Sequence, residues 1–213
     1  MKSILGKKIG MTQIFDDSGV VTPVTVVQAG PVVVTQVKTE ETDGYNAVQV
    51  GYGDVREKHV TKPIKGHFRK ANVALKKTLR EIPTTADEHY ELGQELDVTQ
   101  FAAGDVIDVI GTSKGKGTQG AIRRWNYGRG PMGHGSKSHR VGGARAAGTY
   151  PARVFPGTKG SGKMGHDRVT VQNLTVVRVD AENHMILVKG AVPGPKGGLV
   201  TIREAKKAPK AKK

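Results

Sequence analysis

The 213-residue chain sets 34 Lys and Arg against 19 Asp and Glu, a formal charge of +15, and an excess of that size implies a polyanionic partner, nucleic acid first and an anionic surface second. Hydrophobic residues make up 36% and aromatics 5% of the chain, too little for a protein that buries every segment in a core of its own. Cys is absent, which excludes disulfides, thiolate metal sites and Cys nucleophiles and fits a reducing, cytoplasmic compartment.

From the N-terminus, residues 1–8 carry no apolar stretch behind their basic residues, and no run of 18 apolar residues occurs further on, so neither secretion nor a membrane span is expected. Residues 20–29, 32–38 and 47–52 are short, Val-rich and bounded by Gly, Pro, Asp or Asn, which predicts strands. Pro63 to Lys70 predicts a short helix with Pro in the first turn. Further strands are expected over 106–110, 169–179 and 185–188. The imperfect alternation of Val171, Leu174 and Val176 suits a strand of a small barrel better than one of a flat open sheet. The expected architecture is mainly β, a β-barrel with a few short helices. Residues 1–110 plus 169–202 form the discontinuous barrel domain, residues 111–168 are a long basic, glycine-rich irregular extension inserted in it, and residues 203–213 form a basic tail.

The charge is unevenly placed. Residues 1–110 hold 13 basic and 15 acidic side chains, whereas residues 111–168 hold 12 basic ones against a single acid, Asp167. The same 58 residues contain 15 of the 29 glycines, and their few large apolar side chains cannot offset the entropy of ordering the segment. A long excursion inside a compact domain is normally functional, and this one is expected to order against a partner that supplies counter-charge and shape, which structured RNA does. Lys and Arg neutralise phosphates, Gly lets the backbone approach the sugar-phosphate chain, and Trp125, Tyr127 and Tyr150 offer faces for unstacked bases. A short helix over 119–125 would set Arg123 and Arg124 beside the only Trp. The candidate phosphate ligands are Lys114, Lys116, Arg123, Arg124, Arg129, Lys137, Arg140, Arg145, Arg153, Lys159, Lys163 and Arg168. Trp125, Tyr127 and His139 are the stacking candidates.

Other chemistries find less support in these residues. Gly115, Gly117 and Gly120 form a G-x-G-x-x-G, but so do Gly128, Gly130 and Gly133, and again Gly160, Gly162 and Gly165, as a segment a quarter glycine would produce by chance. A dinucleotide site also needs an acid about 20 residues on for the ribose, and none lies between Asp108 and Asp167. No phosphate-loop motif is present, a zinc site at His134, His139 and His166 would rest on histidines alone, and no Ser, His and acid set can be assembled from the extension. No catalytic residue, metal, cofactor or small-molecule substrate is therefore expected. Two alternatives to RNA binding stay open here: a nucleotide-dependent enzyme built on the first glycine set, and a binder of anionic membranes. The latter would need a basic amphipathic helix, which the Gly and Pro content of residues 128–165 opposes.

Five motifs in order resemble a known family. Ile4-Leu5-Gly6-Lys7-Lys8-Ile9-Gly10-Met11-Thr12-Gln13-Ile14-Phe15 resembles its opening, and Gly111-Thr112-Ser113-Lys114-Gly115-Lys116-Gly117, leading to Arg124-Trp125-Asn126, resembles its most recognisable motif. His134-Gly135-Ser136 with Ser138-His139-Arg140, then Arg168 to Leu174, then Leu187 to Gly194 continue the series. The family is the bacterial form of the third protein of the large ribosomal subunit. The resemblance covers residues 1–202 and implies a β-barrel of the type shared with translation factors, a structural role without catalysis, and 23S ribosomal RNA and neighbouring large-subunit proteins as partners. It further implies binding early in subunit assembly and an extension that reaches through the RNA towards the peptidyl transferase centre. The chain departs from relatives at Gly143-Ala144-Arg145-Ala146 and Tyr150-Pro151-Ala152, and Thr149 stands near a glutamine that some relatives methylate. Lys159 to Gly165 lacks the first Met of the usual motif.

Overall fold

Val, Ile and Thr dominate the regular segments, and their branched side chains favour extended backbone. The computed structural model describes residues 2–16, 18–85 and 88–208, and the chain divides into two compact units, Met1–Thr112 with Arg168–Lys213, and Ser113–Asp167.

The first unit contains β1 (Ser3–Phe15), β2 (Val21–Ala29), β3 (Val32–Lys38), the single-turn α1 (Glu40–Asp43), β4 (Ala47–Asp54), α2 (Lys62–Lys70), β5 (Lys76–Pro83), β6 (Glu95–Leu96) and β7 (Val106–Thr112). The second unit holds β8 (Thr118–Gln119), α3 (Ala121–Trp125) and β9 (Gly162–Lys163), after which β10 (Arg168–Asp180), β11 (Met185–Lys189) and β12 (Leu199–Glu204) return to the first. Six strands close into an antiparallel barrel in the order β1-β12-β7-β10-β11-β2. Ile4 pairs with Ile202, Ile202 with Val109, Ile186 with Val27 and Gly6 with Ala29. Closure satisfies the ladder on both sides of the paired segments, so they present no free edge.

The uneven alternation along β10 has a structural cause. Its register shifts between Val171 and Leu174 against β7 and between Val176 and Arg178 against β11, and Asn173 takes a φ of 56° at the first shift. Such bulges bend a strand around a small barrel. Asp108, in the barrel wall and 1% exposed, accepts the Asn173 backbone N–H at 3.2 Å and Arg203 Nη2 at 3.2 Å. One buried carboxylate thus ties the bulge of β10 to β12.

A second sheet, in the order β5-β4-β3-β6, belongs to the same unit. The sequence does not separate it from the barrel, because the pairs that close the barrel, β1 with β12 and β12 with β7, join segments far apart in the chain. Gly30, at a φ of 77°, turns the chain from β2 into β3 and donates its N–H to Leu5 O at 3.0 Å. Val32, Val34, Val48, Val50 and Ile82 of this sheet share one core with Ile4, Leu5, Ile107, Val188 and Ile202 of the barrel. The strands expected over 20–29, 32–38, 47–52, 106–110, 169–179 and 185–188 are all present within a few residues, as is the helix over 63–70. Strands β1, β5 and β12 were not expected. Of the basic tail, Arg203 and Glu204 complete β12, and residues 209–213 lie outside the described residues.

Candidate nucleic-acid interface

Past Thr112 the chain forms a narrow ribbon with its own returning end. Ser113 N–H donates to Asp167 O at 2.8 Å and Asp167 N–H to Ser113 Oγ at 3.1 Å; Lys116 N–H donates to Met164 O at 2.8 Å and Met164 N–H to Gly117 O at 3.0 Å. Strands β8 and β9 continue the ribbon, with Thr118 opposite Lys163 and Gln119 opposite Gly162. Gly165 has a φ of 73°, and a Cβ there would overlap the Lys114 carbonyl oxygen. Only glycine permits so close a crossing of two backbones. Gly120 opens α3 and Asn126 ends it in the left-handed conformation, at a φ of 58°, a common device for stopping a helix. Gln119, which the sequence places in this helix, lies instead in β8.

The helix brings Trp125 to the centre of a cationic cluster. Arg124 Cζ lies 4.9 Å and Lys159 Nζ 5.8 Å from the ring centroid, distances at which the quadrupole of the indole attracts a cation. Gly160 O accepts both Trp125 Nε1–H, at 2.8 Å, and Arg124 Nη1–H, at 3.2 Å. The two neighbouring glycines seat guanidinium groups: a Cβ at Gly160 would stand 2.6 Å from Arg145 Nη1, and one at Gly162 would stand 2.5 Å from Arg124 Nη1. The glycine pattern at 160, 162 and 165, which looks like chance in the sequence, therefore has a packing role. The signal for it is weak, because the arginines it seats lie 15 and 38 residues away in the chain.

Lys114, Lys116, Arg124, Trp125, Lys163, Met164 and Asp167 are among the residues that line an open groove of about 680 Å³. Lys159 joins this cluster through the Trp125 ring, and Tyr127 OH donates to Lys159 O at 3.2 Å. Arg145 joins it through Gly160. Arg123 is exposed and reaches Gln119 Oε1 at 3.4 Å. The remaining candidates stand apart. Gly130 N–H donates to His139 O at 2.9 Å, and His139 Nδ1 lies 2.9 Å from Pro131 O. A carbonyl only accepts, so Nδ1 carries the proton and Nε2 is left as the free ring atom. Arg129, Lys137 and Arg140 are exposed in that loop region, Arg153 lies over Phe155 at 5.5 Å, and Arg168 is exposed at the start of β10, in the first unit.

Among the described residues, none of these twelve cations forms an ion pair; every ion pair lies in the first unit and uses other bases. Ala121 is the one buried hydrophobic side chain of Ser113–Asp167. Trp125 keeps 38% and Tyr150 91% of its surface exposed. Like charges this close repel one another unless screened, and a polyanion threaded among them removes the repulsion. The arrangement offers fork-shaped donors for phosphate and an indole face for a base. It offers little for acid–base chemistry, with Asp167 its sole carboxylate. Among the described residues no group of three metal-ligating side chains occurs, and no helix is long and apolar enough to cross a membrane. The first glycine set lies on the ribbon and at the start of a five-residue helix, not in the strand–turn–helix that a dinucleotide site requires.

A family model described as ribosomal protein L3 matches residues 65–185. The large ribosomal subunit protein uL3 of Finegoldia magna is 68% identical over 208 residues, covering 98% of this chain and 100% of the relative. The protein of the same name from Heliobacterium modesticaldum is 59% identical over 207 residues, covering 97% of this chain and 98% of the relative.

Proposed function

Because the chain belongs to the ribosomal protein L3 family, we propose that its residues 111–168 bind 23S ribosomal RNA directly and support the shape of the peptidyl transferase centre. The protein is a structural constituent of the large ribosomal subunit, working in translation within the cytoplasm alongside ribosomal RNA and other ribosomal proteins, and it is not an enzyme.

One observation carries the finer reading: a segment with twelve bases and one acid makes no ion pair among the described residues and buries one hydrophobic side chain. Lys114, Lys116, Arg123, Arg124, Arg129, Lys137, Arg140, Arg145, Arg153, Lys159, Lys163 and Arg168 neutralise phosphates and release their counterions. Trp125, Tyr127 and His139 take unstacked bases, and the glycines bring backbone against the sugar-phosphate chain. Ordering entropy is met by the RNA contacts themselves, so binding belongs early in assembly, while the RNA is still rearranging. The discontinuous barrel, residues 1–110 with 169–202, docks on RNA helices and on neighbouring subunit proteins, and residues 203–213 add charge. The extension holds the catalytic RNA in shape without reacting.

The test is a titration of the purified protein against 23S ribosomal RNA fragments and an unrelated structured RNA of equal length, from about 50 to 300 mM salt, where non-specific binding falls steeply. One fragment should stay tightly bound at the higher salt. Equal, salt-labile binding to both RNAs would overturn direct specific recognition. In assembling subunits, Arg124→Ala should slow assembly or perturb peptide-bond formation, and wild-type behaviour in both would remove its assigned role.

A further inference from the structure

The near-neutral sum over residues 1–110 hides a sharp partition. Residues 56–80 hold nine Lys and Arg against one acid, Glu57, whereas residues 81–110 hold eight acids and no Lys or Arg. Helix α2 lies at the centre of the basic stretch. Phe68 is buried, and His67 Nε2 donates to Gln49 Oε1 at 2.6 Å, which fixes the side that faces the protein. At about 100° per residue the other side carries Lys62, Lys65, Gly66, Arg69 and Lys70. Lys65 is held by Glu57 at 2.9 Å. Lys62, Arg69 and Lys70 are exposed, and among the described residues they form no ion pair with the acids of 81–110 or with any other.

Two residues of this face work against the helix that carries them. Gly66 sits mid-helix, where only Pro is a poorer helix former. Its φ is not positive, and a Cβ placed on it would meet nothing within 4 Å. Neither turn geometry nor packing within the chain asks for glycine there. Lys62 occupies the first turn, where the helix dipole disfavours a cation; no acid shares that turn, and Thr61 makes no side-chain cap hydrogen bond. Arg69 and Lys70, in the last turn, suit the dipole and would need no partner to explain them. Lys62 and Gly66 do. Removing a Cβ from the middle of a basic face leaves a smooth patch on which a negatively charged backbone can lie against the helix between Lys62 and Arg69.

We propose that α2 forms a second RNA-phosphate site, with Lys62, Arg69 and Lys70 as ligands and Gly66 as the point of closest approach. The inference rests on the reading that the protein binds ribosomal RNA directly, and it adds a site in the first unit that does not use residues 111–168. The full-length protein is titrated with transcribed 23S ribosomal RNA, and with an unrelated structured RNA, from about 50 to 300 mM salt. Wild type is compared with Gly66→Ala, with the double variant Lys62→Gln and Arg69→Gln, and with the double variant Arg123→Gln and Arg124→Gln. Gly66→Ala should melt about 2–4 °C higher, since alanine favours the helix, and yet bind 23S RNA roughly tenfold more weakly, as expected when close phosphate contacts are pushed apart. Opposite signs in the two readouts exclude misfolding as the cause. The Lys62 and Arg69 double variant should lower the slope of log affinity against log salt by about 1.5. A Gly66→Ala protein that melts higher but binds as wild type, with an unchanged slope in that double variant, overturns the site; if the Arg123 and Arg124 variant loses affinity in the same series, RNA binding by the extension still stands. A wild-type protein with no preference for 23S RNA overturns both.

Discussion

Ile4, Leu5, Ile107, Ile186 and Ile202 are shut off from solvent in the first unit, whereas Ser113–Asp167 buries Ala121 alone among its hydrophobic side chains. The first unit is held by apolar area removed from water, the usual source of stability in a folded domain. The second is shaped by a ribbon of backbone hydrogen bonds and by guanidinium groups laid on glycines and carbonyl oxygens, as where Arg124 and Trp125 both donate to Gly160 O. The contrast separates two tasks that most binding proteins combine. The side chains that stabilise the barrel are not those proposed to meet the RNA, while in the extension Arg124 both shapes the local path, through Gly160 O, and is a proposed phosphate ligand. Substitutions should therefore divide cleanly, with barrel changes costing stability and extension changes costing affinity.

The largest expected effect is on the barrel side. Ile107→Ala leaves a cavity at a fully buried position and should cost about 2–5 kcal/mol, lowering the melting midpoint by roughly 5–15 °C. RNA affinity of the fraction still folded, measured well below that midpoint, should stay within twofold of wild type. A large loss of affinity in that folded fraction would break the division. Trp125→Ala makes the converse case. It should weaken binding to the 23S fragment by about 1–3 kcal/mol, the worth of one stacked base, and leave the unfolding midpoint in urea nearly unchanged. Equal losses in both readouts would mean that the indole is chiefly a structural element.

The smallest expected effect lies in the second sheet and concerns pH. The Lys38 ammonium and the Tyr45 hydroxyl, both hydrogen-bonded to Glu81, hold its carboxyl below the usual range. A depressed folded-state value means that the stabilisation is complete above the ordinary Glu pKa and is lost as pH falls through the folded value. Glu81→Gln should therefore flatten the acid limb of the stability curve. Because the pair is solvent-screened, the change should not exceed about 1–2 °C in melting midpoint. A steeper acid limb in the variant would contradict the sign.

Much of the first unit was legible in the sequence, since β2, β3, β4, β7, β10 and β11 are rich in β-branched residues and have Gly, Pro, Asp or Asn at one end or the other. Strands β1, β5 and β12 were not, because Lys7-Lys8 interrupt the pattern of β1, Lys76-Lys77 open β5 and Arg203-Glu204 end β12 with side chains suited to solvent. The split into a closed barrel and a separate four-stranded sheet depends on register between distant segments, which no local pattern encodes. In the extension, Arg123, Arg124 and Trp125 announce themselves by adjacency. Gly160, to which two of them donate, lies 35 residues beyond Trp125 and needed the ribbon to bring it near. The basic face of α2 was hidden by arithmetic, because a sum over 110 residues cancels it against the acids of 81–110.

The most direct measurement is on a protein from which the extension has been excised. Thr112 and Arg168 lie opposite each other on β7 and β10, so residues 113–167 can be replaced by an Asn-Gly hairpin turn that suits an antiparallel pair. The account predicts a folded barrel melting within about 5 °C of the full-length protein, since none of the residues that make up the first unit's core is removed. It predicts affinity for the 23S fragment at about 100 mM salt reduced at least a hundredfold, with weak, salt-labile binding left from the first unit. Wild-type affinity in the excised protein would contradict the assignment of RNA recognition to residues 111–168, and failure of the barrel to fold would contradict the independence of the two units.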